Sequence, residues 1–296
     1  MPMTEKVLPI THFNGLKLFK RGKVRDVYDL GAQILIVSTD RISCFDVVLP
    51  DCVPEKGRIL TQLSCFWFDL TRDIVPNHVV SADVDQFPKE LQKYRDELVG
   101  RSMIVKKTEL IPFECVVRGY ISGSGWKEYK ENGRVGGIKL PPDLVESEKL
   151  PQAIFTPATK ADEGHDMNIS EKEMAQAIGK ELTGKLKELS LAIYHKASAY
   201  AEKKGIIIAD TKFEFGLLGG SIIFIDEALT PDSSRFWPKN TYAPGKGQPS
   251  FDKQFVRDYL ETLHWNKTPP APNLPAHVIE ETTRKYQEIC DRLVNE

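Results

Sequence analysis

The sequence predicts an α+β fold built from antiparallel sheet, and three observations carry that prediction. Residues Leu16 to about Ser38, LKLFKRGKVRDVYDLGAQILIVS, alternate in strand fashion and break at Arg21-Gly22 and Leu30-Gly31-Ala32, the pattern of an antiparallel meander. Ile206 to Trp237 reads as two strands and a turn followed by a polar loop. Helical periodicity occupies separate stretches, most clearly between Ser170 and Gly205 and again towards the C-terminus.

Within the meander, Lys20, Arg21, Lys23 and Arg25 crowd around Gly22. A turn with so little side-chain bulk can bring backbone amides and cations over phosphates, or it can be a solvated hairpin tip. The polar segment Ser38-Thr39-Asp40-Arg41-Ile42-Ser43-Cys44-Phe45-Asp46 follows a strand directly, a position that often carries function. Ile59 to Thr71 is apolar around much of its circumference and predicts a buried helix; Pro88 to Leu98 predicts a second, more polar one. Ser102 to Lys107 and Phe113 to Arg118 are strand-like. The apolar linker Thr108-Glu109-Leu110-Ile111-Pro112 between them can join a small sheet domain to a larger body, and adenine rings often sit in such clefts.

Arg118 leads into Gly119-Tyr120-Ile121-Ser122-Gly123-Ser124-Gly125 before the helical Trp126-Lys127-Glu128-Tyr129-Lys130. Free N–H groups at such a helix start suit a phosphate; a plain helix cap with flexible glycines is the equal alternative. Gly133 to Ile169 reads as a long irregular stretch, either a binding loop or disorder, with His165 as an acid, a base or a bystander. Ser170 and Glu173 form a capping box, after which Leu182, Leu186, Leu189, Ile193 and Tyr200 fall on one face of a long helix ending at Gly205. Ser250 to Leu263 and His277 to Leu293 are helical by pattern, the last with a stripe of Ile279, Tyr286, Ile289 and Leu293; neither suggests chemistry. The Lys239 to Gln248 segment, rich in Gly, Pro and Lys, is a loop within possible reach of a cleft.

The chemistry concentrates in Ile206 to Trp237. Side chains alternate along a strand, so Asp210, Lys212 and Glu214 share one face while Phe213 and Phe215 point to the other. Two carboxylates and an ammonium beside so apolar an entry strand are costly without partners, which places them on a cleft. A three-residue loop of Gly219, Gly220 and Ser221 would set Glu214 opposite Asp226. Carboxylates facing each other repel, and a divalent cation between them resolves the conflict, hard oxygen ligands suiting magnesium on a polyphosphate. The competing reading is a solvated hairpin. The following Glu227-Ala228-Leu229-Thr230-Pro231-Asp232-Ser233-Ser234-Arg235 is either ordinary turn chemistry or a second anion site closed by a guanidinium.

Composition narrows the partners. The 296 residues are 41% hydrophobic, enough for one large or two modest domains. Forty basic against 42 acidic residues give a net charge of -2, which argues against nucleic acid or an anionic membrane and favours small anionic ligands. The five cysteines are scattered without zinc spacing, and neither a signal pattern nor a membrane-length apolar run is present, so a cytoplasmic location is expected.

Two segments make the reading specific. Leu110-Ile111-Pro112-Phe113-Glu114-Cys115-Val116-Val117-Arg118-Gly119-Tyr120-Ile121-Ser122-Gly123-Ser124 and Ile208-Ala209-Asp210-Thr211-Lys212-Phe213-Glu214-Phe215-Gly216 resemble the two signatures of the SAICAR synthetase (phosphoribosylaminoimidazole-succinocarboxamide synthase) family. The likeness extends, in the same order, to Arg21-Gly22-Lys23-Val24-Arg25-Asp26-Val27-Tyr28 and to Asp226 through Arg235. The resemblance implies a purine-biosynthesis ligase that joins carboxyaminoimidazole ribonucleotide (CAIR) to L-aspartate with cleavage of ATP to ADP and phosphate, with magnesium. It implies a two-part α+β fold related to ATP-grasp and kinase architectures. A small antiparallel-sheet domain, residues 1–109, would cover ATP, and a larger α+β domain, residues 110–296, would carry the magnesium and substrate sites.

Matched by position, the resemblance makes Lys23 and Arg25 phosphate-covering residues, Lys106 and Leu110 the adenine-side wall, and Glu214 and Asp226 magnesium ligands. Arg118, Ser122, Gly123, Ser124, Asp232, Ser233, Ser234 and Arg235 are the expected ribonucleotide-binding set, with Asp210 and Lys212 as catalytic residues close to both ligands. A carboxylate is a poor acyl donor, and phosphorylating it creates a leaving group that an amine can displace, so positioning and charge neutralisation are nearly all the protein must supply. The base for the amine proton is Asp210 or solvent. The chain is longer than the short form of the family between Gly133 and Ile169, and no carboxylase-like domain follows, which implies the single-function form, a monomer or small homo-oligomer. A small-molecule kinase would release ADP without aspartate; a nucleotide-binding regulator would not need Glu214 and Asp226 together.

Overall fold

The N-terminal meander forms as its alternation predicts: β1 (Lys17–Arg21), β2 (Arg25–Asp29) and β3 (Gln33–Ser38) pair antiparallel in sequence. The computed structural model describes residues 7–160 and 167–295. A second hairpin follows, β4 (Arg41–Cys44) with β5 (Val47–Cys52), then helix α1 (Lys56–Leu70), and β6 (Val79–Ser81). The expected helix from Pro88 to Leu98 is instead two single turns, α2 (Lys89–Gln92) and α3 (Arg95–Leu98). They separate where Tyr94 turns its ring onto Phe13, 4.4 Å between centroids, and donates to the Asn14 carbonyl. Tertiary packing overrides the helical pattern there. Strand β7 (Ser102–Lys106) completes a five-stranded sheet in the order β1-β2-β3-β7-β6.

The larger sheet begins with β8 (Glu109–Leu110), inside the linker, and β9 (Phe113–Tyr120). Helix α4 (Gly123–Asn132) leads into a stretch that is ordered rather than irregular: hairpin β10 (Arg134–Val135) and β11 (Ile138–Lys139), then β12 (Lys149–Phe155) and β13 (Ala158–Thr159), both paired with β9. Leu140, Leu144, Leu150 and Ile154 pack with Ile121 and Val135, an apolar cluster spread too thinly in sequence to show periodicity. His165 lies outside the described residues.

The capping box forms at Ser170, but its helix α5 (Glu171–Ile178) stops at Gly179, whose φ of 87° breaks the run. Helix α6 (Lys180–Lys203) continues and lies under β14 (Ile206–Leu218), Tyr194 donating to the Ile208 carbonyl at 2.7 Å. Strands β15 (Ser221–Ile225) and β16 (Ser234–Pro238) both pair with β14, as do β8 and β9, so β14 is the spine of the sheet. Helices α7 (Gln254–Glu261) and α8 (Ala276–Cys290) close the chain.

The main core unites Leu63, Trp67 and Phe68 of α1, Leu186 and Ile193 of α6, Phe213 and Phe215 of β14, and Tyr286 and Ile289 of α8. Each such side chain contributes roughly 1.5–3 kcal/mol of burial. A separate core, including Phe13, Tyr28, Leu35, Val37 and Leu98, sits against the N-terminal sheet. Ile42, Leu49 and Val53 of the β4–β5 region pack on Val256, Leu260 and Val278, so apolar contact crosses the expected boundary at 109/110.

Candidate active site

A cavity of about 730 Å³ runs between the β1–β2 tip and the face of β14, bounded at its far end by Asp252, Lys253 and Arg257. Its floor rests on a fault in the strand. In the pairing of β14 with β16, Ile208 faces Phe236 and Asp210 faces Arg235, so Ala209 is an extra, bulged residue. Before it, Ile206 and Ile208 enter the main core; after it, Phe213 and Phe215 do. The bulge reverses the alternation, and Asp210, Lys212 and Glu214 line the cavity on the face opposite the phenylalanines.

The hairpin turn differs from expectation. Leu218 pairs with Ser221, so the loop is the two residues Gly219 and Gly220, with φ of 58° and 81°, both in the left-handed region that suits a tight type I′ hairpin. Glu214 therefore faces Ile225, not Asp226. Asp226 follows the strand at φ 70°, its N–H donating to His78 Nε2 at 3.2 Å, and that kink returns its carboxylate to the cavity beside Glu214. Burial holds the His78 imidazole down at about 4, so it stays neutral and can accept.

Burial, reinforced by the charge of Asp226, pushes the Glu214 carboxyl up to about 7 against the opposing pull of Lys160 and Lys212. Burial also acts on Asp226, but there the Arg25 guanidinium, 2.7 Å from Oδ2, prevails and keeps the carboxyl below its ordinary range. Lys160 donates to Glu214, and Lys212 donates to Glu114 from the neighbouring strand β9. Burial disfavours the Lys212 ammonium, yet the charges of Glu114 and Glu214 raise its pKa, so it stays protonated. Lys23 pairs with Asp46, tying the hairpin tip to the β4–β5 turn.

At the other end, Arg118 on β9 is buried and fully directed: Nε donates to Thr156 Oγ1 at 3.0 Å, Nη1 to Asp210 Oδ2 at 3.0 Å and Nη2 to Ser124 Oγ at 3.1 Å. Arg235 on β16 donates to the same Asp210 Oδ2 at 2.5 Å. One carboxylate thus holds two guanidiniums side by side. Gly123, at φ 55°, stands where a Cβ would meet Arg235 Nη2 at 2.1 Å. Asp232 faces inward: Lys56 Nζ lies 2.8 Å from Oδ2, Lys253 Nζ 3.4 Å from Oδ2, and the Tyr286 hydroxyl donates to Oδ1 at 3.0 Å.

Of the residues expected from sequence, Lys23, Arg25, Arg118, Ser124, Asp210, Lys212, Glu214, Asp226, Asp232, Ser233, Ser234 and Arg235 line this one cavity. Lys106, Leu110, Ser122 and Gly123 do not. Lys106 Nζ donates to the Asn77 carbonyl at 3.3 Å, Leu110 is exposed beside Gly216, and Ser122 is the buried residue preceding α4. Lys239 to Gln248 stays away from the cavity; Gly245 N–H donates to the Glu146 carbonyl and the Tyr242 hydroxyl to that of Ser147. Of the Ser38 to Asp46 segment, Ser43, Phe45 and Asp46 reach the cavity, whereas Asp40 is buried against Arg101 and the Gly57 N–H. Sequence reading missed Lys160, Glu114, Lys56, Lys253 and Arg257. Lys253 and Arg257 are spaced i, i+4 at the start of α7, a one-face signal that could have found them.

The chain matches the family model described as SAICAR synthetase over residues 18–272. It is 60% identical over 284 residues to a phosphoribosylaminoimidazole-succinocarboxamide synthase of Geobacter metallireducens, covering 96% of each chain. Among solved structures, it resembles the SAICAR synthase of Saccharomyces cerevisiae complexed with SAICAR, with 44% identity, a TM-score of 0.89 and 98% of each chain covered. A SAICAR synthetase in complex with ADP aligns at 26% identity with a TM-score of 0.69, over 94% of this chain and 97% of that one.

Proposed function

Because the chain belongs to the SAICAR synthetase family, we propose a division of labour among its cavity residues for that family's reaction. The enzyme is the ATP-dependent ligase of purine biosynthesis that joins CAIR and L-aspartate to give SAICAR, ADP and phosphate. The observation that carries the assignment is the polarity of the cavity: two carboxylates beneath a cationic hairpin tip at one end, paired guanidiniums at the other.

Lys23 and Arg25 cover the polyphosphate; Lys106 and Leu110, outside the cavity lining, are assigned to the adenine side by the family resemblance alone. Glu214 and Asp226 fit a divalent cation: they are buried oxygen donors, and burial together with the charge of Asp226 holds the Glu214 proton to about neutrality. Among the described residues no group of three or more His, Cys, Asp or Glu side chains is placed to hold a metal, so Glu214 and Asp226 would act as a pair of protein ligands. They would hold magnesium, which supplies charge neutralisation at the transferring phosphoryl oxygens. Arg118 and Arg235, aligned by Asp210, hold the ribonucleotide with Ser124, Ser233 and Ser234, while Gly123 leaves room for the Arg235 guanidinium and Ser122 lies buried ahead of α4. Asp232 secures the loop of Ser233 and Ser234 from behind.

A CAIR carboxylate oxygen takes the γ-phosphoryl group and ADP leaves. The aspartate amine then attacks the acyl carbon, the C–N bond forms, and phosphate departs with the C–O electron pair. Lys212, held between Glu114 and Glu214, stabilises the negative charge that passes between these centres. The Oδ2 of Asp210 already accepts from two guanidiniums, which supports solvent as the destination of the amine proton.

No helix among the described residues is long and apolar enough to cross a membrane, and all five cysteines are free, which supports a cytoplasmic location. The protein acts as a monomer or small homo-oligomer, a reading that sedimentation showing a large assembly would overturn. The direct test of the reaction is ADP release from Mg-ATP and CAIR with and without L-aspartate. Release in step with aspartate consumption is expected; equal release without aspartate would make the protein a kinase.

A further inference from the structure

Three cations surround the Glu214–Asp226 pair, and they are not equivalent. Arg25 arrives from the hairpin tip and is bound to Asp226 at 2.7 Å. Lys212 belongs to β14 itself and donates across the sheet to Glu114. Lys160, just past β13, donates to Glu214, and its charge also reaches Asp226. Its side chain is 29% exposed, between the 20% of Arg25 and the 36% of Lys212, and it lines the cavity. Two of these cations are set in strands and bound to other carboxylates, whereas Lys160, outside the strands, is the one that donates to Glu214.

We propose that Lys160 is a placeholder cation: its ammonium occupies the Glu214 carboxylate in the metal-free protein and yields it when a divalent ion arrives. The inference rests on the assignment of Glu214 and Asp226 as the metal-holding pair. Glu214 keeps further lone pairs, but an ammonium on its Oε2 repels a divalent ion on the same carboxylate, so the two occupants compete. An ammonium on a four-carbon stem can leave without disturbing the sheet, which a guanidinium held by a strand cannot. Lys160 thus keeps the empty site from unfavourable repulsion and sets the threshold concentration of divalent ion at which it loads. It is a positioning residue that acts through Glu214.

The test uses Mn²⁺ alone as probe, with no nucleotide, counting free ion by electron paramagnetic resonance on the full-length protein. Lys160→Met should bind Mn²⁺ roughly ten-fold more tightly than the wild type, equivalent to about 1.4 kcal/mol. Lys160→Arg should stay near the wild type. Adding Glu214→Gln to Lys160→Met should remove the tight site. Unchanged or weaker Mn²⁺ binding by Lys160→Met, with a melting transition showing that it is folded, overturns the placeholder. If Glu214→Gln leaves the Mn²⁺ affinity of both the wild type and Lys160→Met intact, the metal assignment itself fails, a different result from the first.

Discussion

Replacing Glu214 by glutamine should make the ligand-free protein more stable at neutral pH while destroying its activity. The carboxyl sits at about 7 in the fold, chiefly through burial and then through Asp226, against an ordinary 4.5. Below about pH 4.5 the group is protonated both folded and unfolded, and its contribution is flat. From there to about pH 7 the unfolded chain releases the proton and the folded one keeps it, so stability falls as pH rises; above 7 the loss is complete. At about 1.4 kcal/mol for each tenfold change in acidity, the gap corresponds to a ceiling of roughly 3 kcal/mol. For a chain of this size that is roughly 5 °C in melting temperature. Glutamine keeps the shape and an acceptor for Lys160, which is exposed enough to adjust. Calorimetry without metal or nucleotide at pH 5 and pH 8 reads the effect. The variant's advantage should be small at pH 5 and large at pH 8. An equal gap at both pH values, or a variant less stable at pH 8, refutes the argument.

Other perturbations separate the remaining roles. Glu214→Ala and Asp226→Ala should each lower kcat by roughly 100-fold or more while ADP binding, followed by calorimetry, changes far less; retained turnover would remove both from the metal assignment. Gly123→Ala places a Cβ on the Arg235 guanidinium at a left-handed φ, and the KM for CAIR should rise roughly ten-fold with a smaller effect on kcat. Asp232→Ala strands the buried Lys56 ammonium and should cost about 3–5 kcal/mol in urea denaturation. Lys56→Met in that background should recover part of the loss, and no recovery would show that the pair is not the source.

How far the sequence discloses this arrangement depends on the range over which each property is decided. The N-terminal meander, the capping box at Ser170 and the apolar face of α6 are local in origin, and they form where alternation, capping and periodicity put them. Asp210, Lys212 and Glu214 were legible because charged groups in apolar surroundings stand out, whereas Arg118 and Ser124 were reached through the family resemblance. What was hidden arises between distant segments. The Ala209 bulge exists only because β16 pairs with β14, and the two-residue turn follows from a register that Gly219-Gly220-Ser221 leaves open. Lys160 stands out as a cavity cation only once Glu214 lies beside it. The order between Gly133 and Ile169 is likewise tertiary, since β12 and β13 exist as partners of β9.

The spine strand also acts as a gauge. Asp210, aligning the guanidiniums, and Glu214, beneath the hairpin tip, are four residues apart on one extended strand, a span of roughly 13 Å. The offset between the two ends of the cavity is therefore written in covalent backbone, braced by strands on both of its edges. The strand is a ruler whose graduations are peptide bonds, and only an insertion or deletion within β14 can recalibrate it.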